Sequence, residues 1–209
     1  MKTTSSKTIG ALLFALLLPI SVPLAAQEQS PEALVRQITS DVLEAIRNDT
    51  ALQAGDRQKA LALAEAKVLP HLDFQEMTRL AAGRVWNTAT AAQREQLVSA
   101  FRAMLVRTYA NAINVYRGQT MQVETARVQP DVNEATVRNR YLSPGRPATP
   151  VDYQMRKTAG GWKVYDIVVD GISLVLTYRS QFEDGARKGG IDGLIKSMQD
   201  KTQQARVRP

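Results

Sequence analysis

The spacing of apolar residues changes period twice along this chain, and that change restricts the folds open to it more than any other feature. Up to Gly118 the apolar positions recur every three to four residues, as in Leu34, Ile38, Val42 and Ile46, and again in Leu97, Phe101, Leu105, Tyr109 and Ile113. From about residue 120 to 169 they alternate: Val151, Tyr153 and Met155 fall on one face of a strand, Asp152 and Gln154 on the other. Helical spacing then returns in Leu174, Val175, Tyr178 and Phe182. Helices, then an antiparallel meander of four strands, then helices define an α+β chain. One sheet face must be covered by helices. The longest helix and the one after the strands are the natural covers, with any apolar cavity lying between them and the sheet.

Punctuation residues set the boundaries. Ser30 and Pro31 give an N-cap and a first-turn proline for a helix that breaks between Asp49 and Gly55. A second helix is predicted from near Asp56 to Pro70. Asp73 with Glu76, and Thr90 with Gln93, have capping-box spacing. The first box opens a short helix ending near Gly83, the second a long one from Ala91 to about Tyr116, stopped at Gly118. Strands are predicted at about 120–129, 134–143, 150–158 and 161–169, separated by Pro130-Asp131, Pro144-Gly145-Arg146-Pro147 and Ala159-Gly160-Gly161. Gly189-Gly190 interrupts the last helix, which resumes at Ile191.

At the amino end, Lys2 and Lys7 precede the apolar run from Ile9 to Leu18, which ends at Pro19. This is the n-region and h-region of a secretory signal, too short to span a bilayer, and cleavage is expected after Ala26. Residues 27–209 then form one domain. The chain has no cysteine, so an exported domain of this sequence is held by packing and not by disulfides, and has no thiolate metal site. Its net charge of +7 is spread along the chain without an aromatic-interleaved basic stripe, so no nucleic-acid partner is expected. A moderate positive charge suits anionic membrane surfaces or acidic partners, and equally suits solubility alone.

Most catalytic constellations are missing. His71 is the single histidine, and a histidine beside a proline is more often a packing residue than a catalyst. No nucleotide-binding glycine loop or Gly-x-Ser-x-Gly elbow occurs. One enzyme arrangement survives: a cone-shaped pocket of the ketosteroid-isomerase type, with Asp166 as a desolvated carboxylate and Tyr141 or Tyr153 as hydroxyl donor. Asp166 alternates with Trp162, Val164 and Val168, but its neighbours Tyr165, Ile167 and Val169 are apolar too, so alternation alone leaves its face open. The apolar surplus on the strands and the long helix fits an ordinary core as well as a deformable pocket.

The stretch from Val68 to Leu80 (Val68-Leu69-Pro70-His71-Leu72-Asp73-Phe74-Gln75-Glu76-Met77-Thr78-Arg79-Leu80), with Gly83-Arg84 and Trp86, resembles the signature of the MlaC, or toluene-tolerance auxiliary, family. Further blocks agree in order: Phe101-Arg102 with Leu105 to Tyr109, Gly161 to Val175 continuing to Tyr178-Arg179-Ser180-Gln181-Phe182, and Gly189 to Ile195. The likeness covers nearly the whole chain after residue 26 and is loosest over 118–150. It implies a periplasmic, monomeric phospholipid-binding protein, without enzymatic activity or a resident cofactor. Its cargo would pass between an outer-membrane lipoprotein complex and an inner-membrane ABC transporter complex carrying a substrate-binding ring, in the service of outer-membrane lipid asymmetry. Acyl chains would lie between helices and a curved sheet, with the head group at the mouth. Combined with the pattern of the strands and helices, this makes Phe101, Met104, Leu105, Tyr109, Tyr141, Tyr153, Val164, Ile167, Val169 and Leu174 the expected tail-lining residues, with Phe74, Met77 and Leu80 closing one wall. Arg79, Arg107 and Arg179 fall within family-like blocks, where phosphate, a partner or solvent are all open to them.

Overall fold

The computed structural model of the chain describes residues 29–109, 120–129, 131 and 133–207, with side chains described up to residue 203. The expected signal segment, the helix end at Tyr116, the stop at Gly118 and the turn residue Pro130 lie outside the described residues.

Local capping places each helix where the short polar residues put it. Ser30 Oγ accepts the Ala33 amide at 3.2 Å and opens α1 (Pro31–Asn48). The break after α1 is filled by a single turn, α2 (Thr50–Gln53), because Asp49 Oδ1 accepts the amides of Ala51 and Leu52 at 2.8 and 3.2 Å. Asp56 caps α3 (Arg57–Lys67) in the same way. A 3₁₀ turn, Leu69–His71, leads into α4 (Phe74–Ala82), where Asp73 Oδ1 accepts the Glu76 amide at 3.0 Å. The Glu76 side chain does not complete that box. It pairs instead with Arg79 and Arg156, and Arg156 also holds Asp73 at 2.6 Å, tying the start of α4 to the sheet. The short α5 (Arg84–Thr88) precedes α6 (Ala91–Tyr109). Thr90 and Gln93 form the full reciprocal box at the head of α6, each accepting the other's amide.

The sheet has five strands in sequence order, all antiparallel: β1 (Thr120–Gln129), β2 (Glu134–Leu142), β3 (Thr149–Thr158), β4 (Gly161–Val169) and β5 (Ile172–Ser173). The fifth strand was not expected. Asp170 and Gly171 both take positive φ, 52° and 79°, and so form the two-residue turn that lets Ile172 pair back onto Val169. Bulges between Val123 and Ala126 in β1, and opposite Gln154/Met155 in β4, bend the sheet and shift which residues share a face. A second 3₁₀ turn, Leu176–Tyr178, leads to α7 (Arg179–Val207), whose two runs join at Gly190 (φ 66°, ψ −170°).

The apolar residues separate into two principal cores. One joins α4, α5, α6 and α7: Met77, Leu97, Phe101, Val175, Phe182 and Leu194 are almost wholly buried there, and Phe101 stacks edge-on against both Tyr178 and Phe182. The other lies between α1 and the sheet, around Val35, Val137, Met155 and Val164. The cover of the sheet therefore differs from the expectation. α1 crosses β1 and β2, held by Arg36 Nη2 donating to Val123 O at 2.7 Å, while α6 and α7 pack mainly on each other. An amphipathic stripe fixes which side of a helix is buried but not what buries it.

Candidate functional site

Between α1 and the sheet lies an apolar cavity of about 210 Å³. α1 contributes Val35, Ile38, Thr39, Val42 and Leu43; the segment after α3 contributes Val68, His71 and Leu72; the sheet contributes Met121, Tyr141, Tyr153, Val164 and Ile167. Thr39 turns its hydroxyl back to Val35 O at 2.8 Å, so it presents mainly its methyl group. Tyr153 rests its hydroxyl 3.8 Å from Met121 Sδ, and burial with Tyr141 nearby pushes its phenol up to about 12. Burial, followed by the charge of Lys163, lowers the affinity of His71 for a proton, with Asp41 acting weakly the other way. Its ring therefore lines the wall in its neutral form at pH 7. Around it Lys67 is paired with Asp41 at 3.3 Å and Lys163 donates to Pro70 O at 2.6 Å.

At Thr39, Leu43 and Met121 the cavity adjoins an open groove of about 630 Å³, which those residues also line together with Arg36, Ser40, Glu44, Arg47, Asn48 and Val123. One helix makes both surfaces. Successive residues of α1 turn by about 100°, so Val35, Ile38 and Val42 face the cavity, Arg36, Ser40 and Arg47 face the groove, and Thr39 and Leu43 stand between them.

Of the residues expected from sequence to line a pocket, the structure brings Tyr141, Tyr153, Val164 and Ile167 together on the cavity wall. Phe74, Met77, Leu80, Phe101, Met104, Leu105 and Leu174 belong to the helical core instead. Tyr109 is 40% exposed, its hydroxyl 3.5 Å from that of Tyr178, and Val169 is 38% exposed at the end of β4. The placement follows from the cover: α1, and not α6, walls off this face of the sheet. The α1 stripe was legible as amphipathic, but nothing in its spacing linked Val35, Ile38 and Val42 to a ligand.

The isomerase arrangement is not assembled. Tyr165 is the extra residue of the β4 bulge, so Val164 and Ile167 share the cavity face and Asp166 turns away from it. There its carboxylate, 6% exposed, accepts the Ile167 amide at 2.8 Å, the Val175 amide at 3.1 Å and the Ser173 hydroxyl. These bonds hold β5 and the following turn against β4. Asp166→Asn replaces an acceptor oxygen by a donor facing amides, and it is expected to cost about 1–3 kcal/mol. Urea unfolding measures it; an unchanged midpoint would remove the structural role.

The class this geometry defines is that of α+β proteins in which a helix and a bent antiparallel sheet enclose an apolar chamber. The comparisons narrow that class. The family model described as MlaC protein matches residues 36–200, and the chain belongs to that family. It is 26% identical over 201 residues to the intermembrane phospholipid transport system binding protein MlaC of Haemophilus influenzae, covering 95% of this chain and 94% of the relative. A stretch of 104 residues is 30% identical to the toluene tolerance protein ttg2D of Pseudomonas putida, covering 50% of this chain and 48% of that one. Among solved structures, the phospholipid-binding protein of Ralstonia solanacearum, in complex with a phospholipid, superposes with a TM-score of 0.75 at 35% identity, over 84% of this chain and 98% of that one.

Proposed function

We propose that this chain carries a phospholipid through the periplasm, after loss of residues 1–26, between an outer-membrane lipoprotein complex and an inner-membrane ABC transporter complex with a substrate-binding ring, and so helps maintain outer-membrane lipid asymmetry. In this reading residues 27–209 act as one monomeric domain, the lipid is cargo and not a cofactor, and no reaction is catalysed. The observation that carries it is the apolar chamber between α1 and the sheet, opening beside a polar groove, in a chain of the MlaC family. Each acyl methylene moved from water into such a chamber contributes about 0.8 kcal/mol. Affinity for two tails therefore needs little from the head group. Among the described residues no helix is long and apolar enough to cross a membrane.

The direct test is extraction. Protein purified from a bacterial host and denatured into organic solvent is expected to release phospholipid at close to one molecule per chain, measured by mass spectrometry and total phosphorus. Repeated preparations that release none under native purification would overturn the carrier reading.

A further inference from the structure

The apolar chamber has polar groups on two sides. On the His71 side the ring is neutral, Lys67 is held by the Asp41 carboxylate and Lys163 by Pro70 O. A phosphate arriving there meets Lys163, whose hydrogen bond to a neutral carbonyl leaves its charge unspent, but also the Asp41 carboxylate that neutralises Lys67. On the groove side two guanidiniums stand without an ion pair among the described residues. Among the described residues Arg36 spends one N–H on Val123 O and has no acidic partner, and the Arg47 side chain has no partner at all. The carbonyls at the end of α1 are themselves satisfied: Gln53 Nε2 donates to Ile46 O at 3.1 Å and to Arg47 O at 2.7 Å. Occupied carbonyls leave less negative potential beside Arg47 for an anion to overcome. Glu44 is the acidic residue of the groove, so its lining carries a net positive charge.

The chemistry matches the shape. An amphipathic ligand needs an apolar enclosure and a hydrated anion site within the length of one molecule, and α1 supplies both on adjacent faces. Thr39 and Leu43, shared by chamber and groove, mark where an acyl chain would meet its glycerol. A guanidinium offers several N–H donors in a plane suited to phosphate oxygens. We propose that the groove beside α1 is a phosphate-ester site in which Arg47, assisted by Arg36, holds the phosphate of the lipid whose chains occupy the chamber. This inference rests on the carrier reading and deepens it.

The test separates the two. Lipid-depleted protein is incubated with vesicles containing equal amounts of dioleoylphosphatidylethanolamine and dioleoylglycerol, re-isolated, and its lipid quantified by mass spectrometry. The unsubstituted chain is expected to favour the phospholipid by about tenfold, and Arg47→Met to bring the ratio close to one. Arg36→Met is expected to act in the same direction; should it disturb folding through the lost tie to Val123, the exposed Arg47→Met still decides. Equal uptake of both lipids by the unsubstituted chain, or a ratio that Arg47→Met leaves unchanged, would overturn the groove site while leaving the carrier intact. Uptake of neither lipid would overturn both. A calorimetric titration with inorganic phosphate closes the remaining route: tight binding that Arg47→Met abolishes without altering the lipid ratio would make the groove a site for free phosphate and overturn its assignment to a lipid.

Discussion

Phe101→Ala is expected to lower the stability of the chain by about 3–5 kcal/mol, the range for deleting a buried phenyl ring. Phe101 is 0% exposed, with ring centroids 5.2 Å from Tyr178 and 5.0 Å from Phe182. Its removal therefore takes away two edge-to-face contacts as well as apolar burial. The walls of the vacated space come from α6 and α7 together, so neither helix can close it without losing contacts elsewhere. For a chain of this size the loss corresponds to a fall of roughly 10 °C in the thermal midpoint, read by circular dichroism. Because Phe101 belongs to the helical core and not to the chamber wall, phospholipid recovered per folded molecule should stay near the level of the unsubstituted chain. A loss of lipid without a loss of stability would place Phe101 in the binding site after all.

Ile167→Trp is expected to do the opposite. Ile167 lines the chamber, and an indole there projects into about 210 Å³ of apolar space that acyl chains fill in the proposed carrier. Excluding even two or three methylenes removes about 2 kcal/mol, so the affinity for phospholipid, read by competition with the unsubstituted chain for limiting lipid, should fall more than tenfold. In a close-packed core the same enlargement would cost about 1–3 kcal/mol of strain. Here the open space accepts the ring, and the unfolding midpoint of the lipid-depleted chain should move little or rise. A steep fall in stability with lipid retained would identify Ile167 as an ordinary core residue.

These two residues also mark how far the sequence could be read. Both were expected to line a pocket, on equal grounds of apolar character and periodicity. Ile167 does so because β4 alternates past its bulge onto the face covered by α1; Phe101 does not, because α6 turned its stripe toward α7. Caps were legible because they are local: Ser30, Asp56, Asp73 and the Thr90/Gln93 box each act within a few residues, and the helices begin where these stand. The fifth strand had a local signal as well, the Asp170-Gly171 pair, but a strand of two residues offers no alternation to reveal it. The face of Asp166 was not legible at all, since one extra residue at Tyr165 reverses the parity that alternation assumes.

Leu72 packs against both principal cores, lines the chamber and bridges to Val164. The residue after it, Asp73, starts α4 and donates its amide to Val164 O at 2.8 Å. The chamber wall and the helical layer thus share a joint. Thermodynamic linkage makes such a joint work in both directions: whatever factor an occupied chamber applies to a contact made by the helices, that contact applies to the hold on the lipid. Any contact made on α4 to α7 would then need no access to the chamber in order to loosen or tighten its contents.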